Sequence, residues 1–269
     1  MKVRIERPFG AGTLSIETGQ LAKQAAGSTL VRYGDTVVLC AAASGPPRPG
    51  VDFFPLTCDY RERVAAAGKF PGGFLKREGR PTTKEVLTAR LIDRPIRPLF
   101  PDWFHNEVQV LSFVLASDRQ NDADVLAMIG SSSALAVSPL PFLGPIGSVR
   151  LGLIDGQFVP FPTHDQLEES DLDLIVSGTR DAILMIEGFA RELPEDRMVE
   201  AILTARDYVG EICRMQEELA ERVGAQKAAY EAPPPDTLVD QLKQKYYEEF
   251  KAAKRTEGKL ARAEACDAL

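Results

Sequence analysis

Apolar residues change their period along this chain, and the change admits only folds that combine sheet with helix. Over the first 116 residues they alternate with polar ones in short runs: Val3-Arg4-Ile5-Glu6, Leu14-Ser15-Ile16-Glu17, Thr29–Tyr33, Thr36–Ala42, Phe54–Arg61 and Val108–Ala116. A period of two is that of half-buried strands. Gly10-Ala11-Gly12 and Gly34-Asp35 fall between runs, where residues tolerant of positive φ make tight turns. Gly10-x-Gly12 lacks the third glycine and the following helix of a nucleotide loop, so it reads as a turn. From Pro194 to Val223 the spacing becomes three or four, through Met198, Ile202, Ala205, Val209, Ile212, Met215, Leu219 and Val223. That pattern predicts one long helix with a face packed on a sheet. Asp122 to Ala136 reads as a buried helix with Asp122 as its N-cap. Ser148–Ile154, Leu172–Val176 and Ala182–Glu187 read as further strands.

Residues 65–81 interrupt the alternation with four glycines and two prolines, and so form a loop. Thr82 and Glu85 then have the spacing of a capping box, opening a helix that is expected to end near Arg94, ahead of Pro95 and Pro98. The loop is also where charge gathers. Residues 1–100 carry 16 Lys/Arg against 9 Asp/Glu, whereas residues 101–235 carry 9 against 23, so a net charge of −7 hides a basic first third. Within residues 61–97 there are ten cations (Arg61, Arg63, Lys69, Lys76, Arg77, Arg80, Lys84, Arg90, Arg94, Arg97) and four acids. Phe70 and Phe74 lie among them. Rings offer stacking faces to bases and cations meet phosphates, which suits single-stranded nucleic acid. The competing reading is a solvated basic loop with both phenylalanines tucked into the core.

The stretch GKFPGGFLKREGRPTTKEVLTARLIDRPIRPLFP, residues 68–101, closely resembles the N-terminal part of the polynucleotide phosphorylase family. The family's Phe-Phe-Arg-Arg type motif stands here as Phe74-Leu75-Lys76-Arg77, followed by Glu78-Gly79-Arg80-Pro81. Leu91-Ile92-Asp93-Arg94-Pro95-Ile96-Arg97-Pro98, Ala127-Met128-Ile129-Gly130, Pro145-Ile146-Gly147 and Leu172-Asp173-Leu174 extend the resemblance over essentially all 269 residues. It implies an α+β, RNase-PH-like fold of the ribosomal-protein-S5-domain-2-like type, in two parts over residues 1–145 and 146–224. A Pro-rich linker at 225–235, with Pro233-Pro234-Pro235, and the truncated start of an all-helical domain at 236–269 would follow.

The resemblance also implies an activity: phosphate-dependent 3′-to-5′ degradation of RNA in mRNA decay, a polyribonucleotide nucleotidyltransferase reaction releasing nucleoside diphosphates. Inorganic phosphate would be the co-substrate, with Mg2+ or Mn2+ held outside this chain. Three chains would form a ring whose pore displays the loop. The expected RNA contacts are Phe74, Leu75, Lys76, Arg77, Arg80, Lys84, Arg90, Arg94 and Arg97. Leu75 takes the place of a second aromatic and Lys76 that of an arginine, which removes a stacking face and a planar fork. Single-stranded RNA, two further copies of the chain and other RNA-decay proteins are the expected partners. No run of about 20 apolar residues is present for a membrane. No signal or transit peptide is read, and a cytoplasmic location is expected.

No catalytic or metal-ligating residue is expected here. Set against the family's D-x5-D-x-K pattern, Asp173 falls on the second carboxylate, Leu167 on the first and Ile175 on the lysine. Asp122 and Asp124 fall near the phosphate turn, where they would repel an anion and read better as helix caps. Ser131-Ser132-Ser133 spells that turn but lies about two turns into its helix, where serine permits close packing. Asp165, Glu168, Glu169, Asp171 and Asp173 read as a solvated acidic turn. His105 and His164 lack partners at ligand spacing. Cys40, Cys58, Cys213 and Cys266 read as buried free thiols. The expected role is to guide RNA and build the ring, with the chain inactive alone. An independently active phosphorolytic domain and a monomeric RNA-binding module without enzymatic role are the alternatives.

Overall fold

The computed structural model describes residues 2–47, 49–230, 234 and 237–269. Two compact units are formed, Met1–Tyr230 and Glu231–Leu269. The class is α+β, as the two periods require.

In the first unit, strands β1 (Val3–Phe9) to β4 (Thr36–Pro47) form an antiparallel meander, each pairing with the next. Gly34 turns β3 (Gly27–Tyr33) into β4 at φ +58°, a left-handed conformation that favours glycine. β6 (Asn106–Ala116) pairs antiparallel with β4, and β5 (Leu56–Glu62) closes the far edge parallel to β6. The six-stranded order is β1-β2-β3-β4-β6-β5, with β2 at Gly12–Thr18. A parallel neighbour needs a crossover. The chain between β5 and β6 supplies it, and this crossover contains the basic loop and helix α1 (Thr83–Ile96).

A second, wholly antiparallel sheet has the order β10-β9-β7-β8, from β7 (Gly147–Ile154), β8 (Gln157–Pro160), β9 (Leu172–Gly178) and β10 (Ile183–Ala190). Helix α2 (Ala123–Ala136), buried along its whole length, packs on strands of both sheets. Gly130 allows its close approach to β4, because a Cβ there would stand 2.5 Å from the Cys40 sulfur. Helix α4 (Glu195–Val223) places Ala201, Ala205, Val209 and Cys213 against Val149, Leu151, Leu174 and Val176 of the second sheet.

Four expectations are corrected. The first helix runs through Pro95 to Ile96: Pro95 has no N–H to offer the Leu91 carbonyl, but the Arg97 N–H reaches the Asp93 carbonyl and carries the turn past it. The acidic stretch read as a turn is partly helix α3 (His164–Glu169), opened by a Thr163/Gln166 capping box. Of the four free thiols, Cys40 and Cys213 are buried, whereas Cys58 and Cys266 are partly exposed. Residues 225–230, read as linker, lie on the first unit: Lys227 Nζ donates to the carbonyls of Leu135, Ala136 and Ser138, at 2.8, 3.2 and 2.9 Å. Tyr230 meets Phe104 edge-on. Pro233 and Pro235 of the predicted linker lie outside the described residues. The second unit contains α5 (Thr237–Lys254) and α6 (Lys259–Asp267), neither with a buried residue. Among the described residues no helix is long and apolar enough to cross a membrane.

Candidate nucleic-acid interface

The loop between β5 and α1 is fixed at its root and bare at its tip. It leaves through a 3-10 turn, Val64–Ala67, whose Ala67 carbonyl accepts from Arg119 Nη2 at 3.3 Å. Glu78 accepts from the Val64 N–H at 3.1 Å, drawing the two limbs together. Glu85 accepts from the N–H groups of Glu62 (3.0 Å) and Thr82 (2.6 Å), while Thr82 Oγ1 accepts from Glu85 N–H at 3.2 Å. The capping box therefore starts the helix and also ties it to the end of β5. Between these anchors Phe70 is 94% exposed and Phe74 98%, so the core-packed reading of the two rings fails. Leu75 is exposed beside them. Among the described residues the side chains of Lys69, Lys76, Arg77 and Arg80 have no ion-pair or hydrogen-bond partner.

The remaining expected contacts are engaged to different degrees. Lys84 lies 3.0 Å from Glu62 and 2.9 Å from Asp122. Burial disfavours its charged form, but the two carboxylates outweigh that and raise its pKa. Arg97 pairs with Asp93, donates to the carbonyls of Phe54 and Leu56 at 3.1 Å each, and lies over the Phe54 ring. Its guanidinium fastens the end of α1 to the start of β5. Arg94 pairs with Glu187 of β10 at 2.6 Å. Arg90 has no side-chain partner among the described residues. Arg90 and Arg94 stand between two open grooves. One, of about 400 Å³, lies between α1 and β5; the other, of about 420 Å³, is lined by Leu87, Leu91, Arg150, Asp173, Ile175 and Glu187.

Of the two carboxylates near the family's phosphate turn, Asp124 does serve the helix start, its Oδ1 accepting from the Val125 N–H at 2.6 Å, whereas Asp122 is not a cap. Asp122 occupies the N-cap position of α2, but its side chain makes no capping bond. It accepts instead from Arg150 Nη1 and Lys84 Nζ, at 2.9 Å each. Asp124 accepts from Arg150 Nη2 at 2.8 Å. Asp173 Oδ1 lies 3.2 Å from Arg150 Nε, misaligned for a hydrogen bond and so an ion pair only. One guanidinium thus serves three carboxylates. Burial raises the Asp124 pKa to about 6, against the pull of Arg150. Burial also works against the charge on Asp122, but Arg150 and Lys84 prevail and its pKa is lowered.

A divalent metal does not fit this arrangement. Arg150 already fills the space between the carboxylates, Ile175 has no donor atom, and among the described residues no His/Cys/Asp/Glu group is placed to hold a metal. Ser131, Ser132 and Ser133 are fully buried. Ser131 bonds Ser112, Ser132 accepts from Ile146 N–H, and Ser133 donates to the Ile129 carbonyl, so none is available to an anion. Sequence reasoning missed Arg150 and Glu187. Neither lies in a motif, and only the pairing of β7, β9 and β10 reveals their position.

Comparison with known proteins matches residues 12–141 to domain 1 of the 3′ exoribonuclease family and residues 144–208 to domain 2. Polyribonucleotide nucleotidyltransferase of Rhodopirellula baltica is 63% identical over 268 residues, covering 100% of this chain and 36% of the relative. The same enzyme of Halalkalibacterium halodurans is 51% identical over 257 residues (95% and 36%), and that of Geotalea uraniireducens 44% over 273 residues (100% and 39%). The chain spans little more than a third of the length of these curated relatives.

Proposed function

The chain belongs to the 3′ exoribonuclease family, and on that footing we propose that it is the RNA-guiding first RNase-PH-like unit of a polyribonucleotide nucleotidyltransferase. The observation that carries the proposal is the loop: two exposed phenylalanine rings and four cations unpaired among the described residues, on an anchored root. Rings without a packing partner keep their faces free for a ligand to stack on. A single strand covers them with its bases while Lys76, Arg77 and Arg80 meet its phosphates. Phe74 supplies the stacking face, Leu75 an apolar contact without π character, and Lys76 a point charge in place of a fork. Arg90 and Arg94 extend the cationic track along α1. Lys84 and Arg97 contribute by holding α1 in place.

The whole enzyme, on this reading, degrades mRNA from its 3′ end with inorganic phosphate as co-substrate and Mg2+ or Mn2+ as the metal. It works in the cytoplasm as a homotrimer in contact with other RNA-decay proteins. Bond cleavage belongs to a part of the enzyme outside this chain. Residues 1–224 form the first copy and residues 236–269 begin the helical domain. The lack of a metal pocket around Arg150 and the apolar Ile175 support that division of labour.

Counterion release supplies the test. Replacing Lys76 and Arg77 together by alanine removes two phosphate contacts. The slope of log K against log salt should then flatten by about 1.4 for single-stranded RNA. Titration of an oligoadenylate over a range of KCl concentrations measures it. An unchanged slope rejects the loop as the RNA contact.

A further inference from the structure

We infer that Glu187 is an acidic gate on the arginine track of α1, which backbone phosphate must displace to reach Arg94. The inference rests on the RNA-guiding reading. Arg90 and Arg94 are one turn apart and share a face of α1. Both line the 420 Å³ groove whose walls include Leu87, Leu91 and Ile175. Arg90 is unpaired among the described residues, whereas Arg94 Nη1 is 2.6 Å from Glu187 Oε2.

Glu187 comes from β10, the edge strand of the second sheet, opposite Ile175 in the register. Its neighbour two residues back, Met185, shares its face of the strand and is buried, which directs that face toward the body of the unit and α1. Both partners of the ion pair keep about half of their side chains in water, at 52% and 55% exposed. Such a pair is screened and separable.

An arginine fork takes carboxylate and phosphate with the same N–H groups, so the two acceptors compete for Arg94. A phosphate arriving there also meets the Glu187 charge at close range. Among the described residues, the closed gate leaves the groove one unpaired cation to offer a strand, and the open gate two. Glu187 thereby sets how firmly RNA is held beyond the loop, and a strand weakly held there keeps moving.

The experiment is binding of a single-stranded oligoadenylate by this chain, titrated over KCl, for wild type, Glu187→Gln, Arg94→Met and the double variant. Glu187→Gln should tighten binding roughly two- to fivefold, the equivalent of one exposed ion pair. The salt slope should steepen by about 0.7, one added single-strand phosphate contact. In the Arg94→Met background the gain should vanish. Unchanged affinity and slope in Glu187→Gln overturn the inference. So does an equal gain without Arg94, which would mark a diffuse field effect. The Glu187 side chain is 55% exposed, so Glu187→Gln should leave the fold intact, and its melting temperature checks this. The loop reading fails independently, through an unchanged slope in the Lys76→Ala, Arg77→Ala variant.

Discussion

Arg150 decides the chemistry of the site more than any residue in the motifs. It reaches Asp122 and Asp124 across 28 and 26 residues of sequence. The sequence therefore locates Asp122 correctly at the start of α2 but assigns it the wrong task. An N-cap signal is local, while the guanidinium that claims the carboxylate arrives from a strand of the other sheet. The loop is a partial case: glycine and proline mark residues 65–81 as a loop, but composition leaves Phe70 and Phe74 open between stacking faces and core packing, and their exposure is seen only in the structure. The ionic cluster has a pH signature. In the unfolded chain Asp124 ionises near 3.9, and in the fold burial raises it to about 6. Between those values the native state holds a proton that the unfolded state has lost, so this group's contribution to stability falls as pH rises through the window. Wild type should therefore gain stability relative to Asp124→Asn as pH drops from about 6 to about 4. Urea unfolding at several pH values measures the difference, in which the opposing effect of Asp122 largely cancels.

At the scale of elements, most strands and the long helix follow from period alone. β8 was missed because its four residues are too few to show alternation. Helix α3 carried a readable signal, the Thr163/Gln166 capping box, obscured by the acidic run around it. The segment 225–230 had no signal, since a lysine capping another helix's carbonyls depends on where that helix ends. Lys227 closes the C-terminus of α2, where unpaired carbonyls and the helix dipole favour a cation. Lys227→Met takes a donor from the Ala136 and Ser138 carbonyls, while the Leu135 carbonyl keeps the Ser138 N–H and hydroxyl. The expected loss is on the order of 1–3 kcal/mol in urea unfolding, together with faster chymotryptic cleavage after Tyr230. Unaltered stability and cleavage would show that Tyr230 and the Ala228 N–H bond to the Pro139 carbonyl suffice to hold the segment down.

For the molecule as a whole, the uneven charge has a spatial counterpart. Among the described residues of the first unit, the unpaired cations concentrate on one crossover of the first sheet, and several acids elsewhere pair with arginines such as Arg150, Arg191 and Arg197. Fold class was within reach of the sequence because it rests on periodicity and on a break in it, whereas the first unit runs six residues past the 224 expected, to Tyr230. Which arginines are free was not within reach, because that depends on β10 meeting α1 and on Arg97 reaching back to β5.

The cluster around Arg150 has a thermodynamic corollary. A bound metal stabilises a fold by mass action, in proportion to the logarithm of its free concentration, and dilution or a competitor strips it away. Arg150 is a counter-ion joined to the chain, so its occupancy obeys no external concentration. The melting temperature of this chain should be the same in EDTA as in millimolar Mg2+ by scanning calorimetry, and a fall on chelation would place a structural cation in the unit after all. If the loop binds RNA as proposed, chelation of divalent ions should leave that loop on an intact fold.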